Sequence, residues 1–197
     1  MQKLFLFKEI LELPRIPVDL IEKELSILDQ LKQHPITVDE RSGFIRNDNK
    51  STGASISTWW CSDKMQEWAK DNIMPWIKEY SDGEAYDTRM YYRELGVYDN
   101  VDFYLPHYDK NLRSRGLIYN IVDSGGDLTF WKHRDYDIED RKETDEVCVY
   151  DYSKLTQIQK FKSPVNTWYM LNARVYHSVE NLTGVRKNFH MSIIYNK

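Results

Sequence analysis

The chain has 197 residues, 41 % of them apolar and 29 % charged, with a formal net charge of −4, which fits one domain with one sizeable core spanning residues 1–197. The negative balance argues against a broad nucleic-acid-binding surface, and no stretch has the apolar length that spans a bilayer. The short apolar run Leu4–Phe7 is cut by Lys8 and Glu9 without a signal-peptide cleavage pattern, so a cytoplasmic protein is expected. Cys61 and Cys148 have neither a CxxC nor a zinc-type spacing and read as reduced core thiols.

Leu4, Leu6 and Ile10 suggest an opening strand, punctuated by Pro14 and Pro17. A helix is predicted from Val18 to Gln33, with Val18, Ile21, Leu25 and Leu28 as its apolar stripe and Pro17 and Asp19 at its start. Pro35 closes it. Residues 40–58 are polar and rich in Ser, Thr, Asn and Gly, and read mostly as loop. Ser62 caps a second helix whose inner face holds Met65, Trp68 and Ala69. Pro75 interrupts that helix, which resumes through Trp76, Ile77 and Tyr80 and stops at Ser81-Asp82-Gly83. Together these form support helices over about residues 18–80.

Beyond residue 88 the texture becomes strand-like. Eight short runs are predicted: Arg89–Leu95, Val101–Tyr108, Gly116–Val122, Asp127–His133, Val147–Asp151, Asn166–Leu171, Tyr176–Glu180 and Lys187–Tyr195. Such a series suggests a sandwich, barrel or jelly roll, here over residues 88–196. The dense charges of Arg134–Glu146 read as a solvated surface loop, with a mobile lid as the functional alternative.

Three residues stand out chemically. His107 and Asp109 lie two apart, so on a strand both point to one face. His177 lies in another strand-like run, Val175–Val179. Two imidazoles and a carboxylate are the ligand set of the facial triad that holds iron(II) with open coordination positions. Arg186 shares its parity with Asn188, His190 and Ser192. A guanidinium facing a barrel interior needs an anion, either a protein carboxylate or that of a ligand. The set therefore suggests an oxygenase that uses iron and an organic acid cosubstrate. His34, His133 and His190 read as structural or rim residues. Trp59, Trp60, Tyr91, Tyr92 and Trp131 are candidates for either a substrate cleft or the core.

The sequence here resembles the iron(II)/2-oxoglutarate-dependent dioxygenases, nearest to the prolyl-4-hydroxylase-like branch. The matching pieces are Leu105-Pro106-His107-Tyr108-Asp109, Leu117-Ile118-Tyr119-Asn120-Ile121, Ser124-Gly125-Gly126-Asp127-Leu128-Thr129-Phe130, His177-Ser178-Val179 and Gly184-Val185-Arg186, spread over about residues 90–195. The resemblance implies a mainly β fold with flanking helices, a double-stranded β-helix or jelly-roll barrel. It implies that His107, Asp109 and His177 bind Fe(II), and that Arg186 holds the C5 carboxylate of 2-oxoglutarate. Tyr119 is the candidate assistant at that carboxylate, with Asn120 as its alternative depending on strand phase. Arg186 stands where many relatives of this branch use Lys, and Lys187 should face the other way. The implied reaction couples O₂ and 2-oxoglutarate to hydroxylation of a C–H, giving succinate and CO₂, with ascorbate as an optional reductant. The implied substrate is a protein or peptide residue such as proline, or a small molecule. The competing readings are a cupin-like metal-dependent isomerase or small-molecule binding module without oxygenase activity, and a metal-free structural jelly roll.

Overall fold

The computed structural model describes residues 6–33, 45–47, 54–81, 89–97, 104–108, 113–137, 149 and 151–194. Asp109, Cys148, His34 and residues 138–146 of the charged segment lie outside the described residues. Among the described residues no helix is long and apolar enough to cross a membrane.

In chain order the elements are β1 (Phe7–Ile10), α1 (Val18–Gln33), β2 (Ile45–Asn47), β3 (Ala54–Trp60), α2 (Asp63–Asn72) and α3 (Met74–Tyr80). They continue as β4 (Tyr91–Val97), β5 (Tyr104–His107), β6 (Arg113–Asn120), β7 (Asp127–His133), β8 (Leu155–Lys162), β9 (Trp168–Leu171), β10 (Tyr176–Glu180) and β11 (Arg186–Ile194). The strands from β4 onward pair as nested antiparallel ladders: β4 with β11, β5 with β10, β6 with β9, and β7 with β8. This is one long hairpin rolled up, so that successive arms fall into opposite sheets. The result is a large sheet, β1-β9-β6-β11-β4-β3-β2, and a small one, β5-β10-β7-β8. That is the expected jelly roll. No strand pair among the described residues closes the two sheets into one hydrogen-bonded barrel.

Alternation along each strand then sorts the side chains. On the outer face of the large sheet, Leu117, Tyr119, Trp168, Met170, Phe189, Met191 and Ile193 pack against α1–α3 through Leu20, Leu28, Met65, Ala69, Met74 and Ile77. Between the sheets, Ile118, Tyr169 and Leu171 meet Leu128, Phe130 and Val175. Each parity of the large sheet therefore belongs to a different core.

Several expectations change in detail. The buried face of α1 is Leu20, Glu24 and Leu28, flanked by half-buried Ile21 and Leu25, while Val18 is 70 % exposed. Residues 45–47 and 54–58 lie in β2 and β3 instead of loop, because Ala54–Trp60 finds a full antiparallel partner in β4 and β2 pairs with β3 in turn. Tertiary pairing overrides the polar composition there. No strand is assigned at Val149 or Asp151, the described part of Val147–Asp151. A short 3₁₀ turn at Tyr152–Lys154 leads instead into β8. That strand escaped the sequence reading because it is an edge strand, exposed over most of its length.

Glu24 is a buried carboxylate with a structural explanation. It accepts hydrogen bonds from the Ser62 backbone N–H at 2.9 Å and the Ser62 hydroxyl at 2.5 Å. Ser62 in turn caps α2 through the Met65 N–H. The arrangement ties α1 to the start of α2, beside Cys61, whose thiol burial pushes well above its ordinary range. Replacing Glu24 with Ala leaves the Ser62 donors without their acceptor, and hydrogen bonds to a charged group contribute about 1.5–3 kcal/mol. We expect Glu24→Ala to lower the unfolding free energy by about 1.5–3 kcal/mol, seen as a lower urea midpoint with an unchanged m-value. An unchanged midpoint would show that Glu24 does not clamp the helices.

Candidate metal and anion site

The ladder between β5 and β10 sets His107 directly across from His177. Both are buried, and their ring centroids are 4.4 Å apart with planes inclined by 50°. They face the space between the sheets. His177 also pairs with Phe130, which belongs to the inter-sheet core, and the two rings lie 6.2 Å apart. The alternate residues point outward: Ser178 accepts from Trp131 Nε1 at 2.8 Å, and Tyr108 meets Tyr176 edge-on.

The protonation pattern of His177 follows from one bond. Its Nδ1 lies 2.9 Å from the carbonyl oxygen of Val175. A carbonyl only accepts, so Nδ1 carries the proton, and in the neutral ring Nε2 presents its lone pair. This is how a metal-binding imidazole is usually oriented. Among the described residues no cluster of three His, Cys, Asp or Glu side chains could hold a metal. The expected third ligand, Asp109, falls outside them.

Arg186 opens β11 opposite Leu95 and is 4 % exposed. Its Nη2 is buried and has no hydrogen-bond partner among the described residues. Asn188, two residues on, lies opposite Asn120 on β6 and Arg93 on β4. Asn120 donates from Nδ2 to the Pro164 carbonyl at 2.9 Å. The Oδ1 atoms of Asn120 and Asn188 are buried without partners among the described residues. A buried guanidinium N–H and two amide groups thus share the inner face of the large sheet. Lys187 faces the opposite way, 4.0 Å from Glu94, as its parity requires.

Tyr119 is not placed to assist at this cluster. It packs in the helix-side core against Trp168. Burial raises its pKa, opposed by Arg15 and by a hydrogen bond from the backbone at Ile16. The phase of β6 gives the inner position to Asn120. The aromatic candidates divide in the same way. Trp59 and Tyr92 belong to the helix-side core, Tyr91 stacks on inner-face His190, and Trp131 lies on the outer face of the small sheet. His133 stacks on Tyr136 at 4.1 Å, away from the His107–His177 pair. Asn188 is the residue that sequence reasoning left without a role; its shared parity with Arg186 was the available signal.

The Gly-Gly-Asp turn before β7 holds its end of the small sheet. Gly125 has φ +71°, and a Cβ on Gly126 would come within 2.8 Å of Leu182 Cδ2 and 2.9 Å of Val179 Cγ1. Asp127 then accepts from Lys162 at 2.8 Å and from Asn181 at 2.8 Å, with Lys160 at 3.8 Å. The Lys162 hydrogen bond, against the opposing effect of burial, lowers its pKa, helped by Asn181 and the lysine charges.

No protein-family model and no curated protein matches the sequence. The fold does have solved counterparts. A Pseudomonas putida prolyl-4-hydroxylase superposes with a TM-score of 0.56 at 12 % identity, covering 97 % of this chain and 93 % of that one. The epimerase SnoN, in complex with Fe³⁺, alpha ketoglutarate and nogalamycin RO, gives 0.55 at 13 % identity over 93 % and 77 %. A prolyl hydroxylase from Trichoplax adhaerens, in complex with a hypoxia inducible factor oxygen degradation domain peptide fragment, gives 0.55 at 12 % identity over 96 % and 83 %.

The Asp127 shift gives a pH dependence. Because the folded-state pKa is depressed, the native state binds this proton less readily than the unfolded chain, whose carboxyl titrates near about 3.9. The contribution is complete above that value and fades as pH falls through the folded-state pKa. The stability difference between wild type and Asp127→Asn, measured by urea denaturation, should therefore shrink as pH is lowered from about 6 towards about 3. A pH-independent difference would contradict the assignment. At identities of 12–13 % the likeness is one of fold, and this chain has the jelly roll shared by prolyl-4-hydroxylases and other 2-oxoglutarate/iron oxygenases.

Proposed function

We propose that this chain is an iron(II)- and 2-oxoglutarate-dependent dioxygenase that hydroxylates an unactivated C–H, with a peptidyl residue such as proline as its substrate. The observation that carries the reading is a conjunction on the two inner faces. Two buried imidazoles sit side by side, one with its tautomer fixed by a carbonyl, and a buried guanidinium N–H lacks a partner among the described residues. Either feature alone has a structural explanation. Together they match a metal and an acid bound between the same sheets.

In this reading His107, Asp109 and His177 hold the iron. Arg186 takes the distal carboxylate of 2-oxoglutarate, and the side chains of Asn188 and Asn120 lie beside it. Bound iron, with 2-oxoglutarate and O₂, supplies the oxidising power for hydroxylation, and succinate and CO₂ are the co-products. The protein's own part is positional. The Val175 carbonyl keeps the proton on Nδ1 of His177 and so leaves the lone pair on Nε2. Arg186 fixes the acid at one end, so that its other end has one orientation. Phe130 and the inter-sheet core limit water beside the imidazoles.

The peptide-bound prolyl hydroxylase among the structural neighbours supports a peptidyl substrate. SnoN, complexed with nogalamycin RO, favours a small molecule as the second reading.

Anaerobic addition of iron(II) and 2-oxoglutarate should produce a visible metal-to-ligand charge-transfer band, and air should then yield succinate. Arg186→Ala should weaken 2-oxoglutarate binding by about a hundredfold, the scale of losing one partner of a buried charge pair, while iron affinity stays within a few-fold. His107→Ala and His177→Ala should each lose iron. A wild-type protein that binds iron but shows no 2-oxoglutarate-dependent band would point instead to a metal-binding barrel without oxygenase chemistry.

A further inference from the structure

The dioxygenase reading does not account for a row of rings on the inner face of the large sheet. Trp60, Tyr91 and His190 are successive cross-strand partners on β3, β4 and β11. Trp60 meets Tyr91 edge-on at 6.0 Å and 89°, and Tyr91 stacks on His190 at 4.6 Å and 29°. A glycine on β6 makes space for this row, since a Cβ on Gly116 would lie 3.2 Å from His190 Nε2. Along the row exposure rises from 3 % at His190 and 5 % at Tyr91 to 37 % at Trp60. The indole thus rests against buried Tyr91, itself backed by buried His190, while part of the Trp60 surface stays open.

The row faces the same inter-sheet space as the imidazole pair. On the small sheet, Phe130, His177 and His107 form one cross-strand line. On the large sheet, Ile118 extends the line of His190, Tyr91 and Trp60. Ile118 and Phe130 belong to the same inter-sheet core, so each line has one member in the apolar layer between the sheets. Nearby charge narrows the class of group that fits. The Arg93 guanidinium carbon lies 5.3 Å from the centroid of the Tyr91 ring, and its Nη2 donates to the Tyr91 hydroxyl at 3.3 Å. A cationic side chain packed beside this row would lie near that like charge, which disfavours it.

We propose that Trp60 is the specificity-determining residue for the primary substrate, and that its open indole face receives a neutral ring of that substrate. The assignment rests on the dioxygenase reading above and deepens it. Tyr91 and His190 are positioning residues that hold the indole in place. Aromatic side chains supply large contact area with few rotatable bonds, so they anchor partners at small entropic cost.

The test compares wild type, Trp60→Ala and Trp60→Phe, each loaded with iron(II) and 2-oxoglutarate. Three capped pentapeptides, identical except for Pro, Gly or Lys at the centre, serve as probes. The readouts are the visible charge-transfer band, succinate formed without peptide, and the peptide-stimulated increase at subsaturating concentration. The Pro peptide should stimulate wild type more than the Gly or Lys peptide does. Trp60→Ala should cut that stimulation roughly tenfold, mainly through KM, while the band and the unstimulated rate stay within about twofold. Trp60→Phe should keep most of it.

Equal stimulation by all three peptides, an undiminished Pro response in Trp60→Ala, or no stimulation of a wild-type protein that still forms the band would each overturn the assignment. A wild-type protein that forms no band fails at the earlier step and overturns the dioxygenase reading itself.

Discussion

Two short strands, Tyr104–His107 and Tyr176–Glu180, set His107 across from His177, and the rest of the candidate site follows from that register. Side chains change face at every residue of a strand, so a slip of one position would turn an imidazole from the inner face to the outer. Neither strand is long enough to enforce its own alignment. The nested ladders enforce it: β7 and β8 form the innermost pair, and β7 then fixes β10 from Tyr176↔Trp131 to Glu180↔Asp127. The far end is pinned by the close approach of Gly126 to Leu182 and Val179, and by the Asp127–Asn181 hydrogen bond. The outer face of the small sheet adds a polar lattice in which Lys160 and Thr129 both bind Glu180. Solvent on that side reinforces the same facing.

The large sheet meets a different demand, because both of its faces are covered. One carries apolar side chains against three helices, and the other carries Arg186, Asn188, His190 and Ser192 along a single strand. Polar groups in such a position destabilise the fold unless they find partners. The helix side supplies the compensating burial. Phe189, Met191 and Ile193 are fully buried between those polar residues, and the Glu24–Ser62 contact holds α1 and α2 in place over the sheet. The helices carry none of the candidate ligands, yet they supply the burial that lets β11 display polar chemistry on its other face.

Much of this was legible in the residues themselves. The jelly roll, the boundaries of β7 and β10, the Ser62 cap and the outward turn of Lys187 follow from alternation and local capping, which act within a few residues. What was not legible depends on partners distant in the chain. Residues 54–58 look like loop until β4 lies beside them. β8 hides because an exposed edge strand needs no apolar pattern. The choice between Tyr119 and Asn120 turns on a phase of one residue, and both faces of β6 are buried. Tyr119 looks like the better ligand-binding side chain, but its size suits the helix-side core, where Trp168 and the backbone at Ile16 take it up. The smaller Asn120 is left to the inner face.

The inner-face guanidinium bears on the proposed function. Arg186 is 4 % exposed and its Nη2 has no partner among the described residues, so a ligand anion on this face would stabilise it. An apolar residue there would fill the space without the desolvation penalty. Lys160 and Lys162 show how this chain treats cations that serve structure: each pairs with Asp127, on the solvent side of the small sheet. Arg186 is instead buried between the sheets, beside two amides whose oxygens have no partners among the described residues. On the proposed reading, an acid bound between the imidazoles and Arg186 would neutralise that charge, so the same ligand would serve both the chemistry and the stability of the inner face.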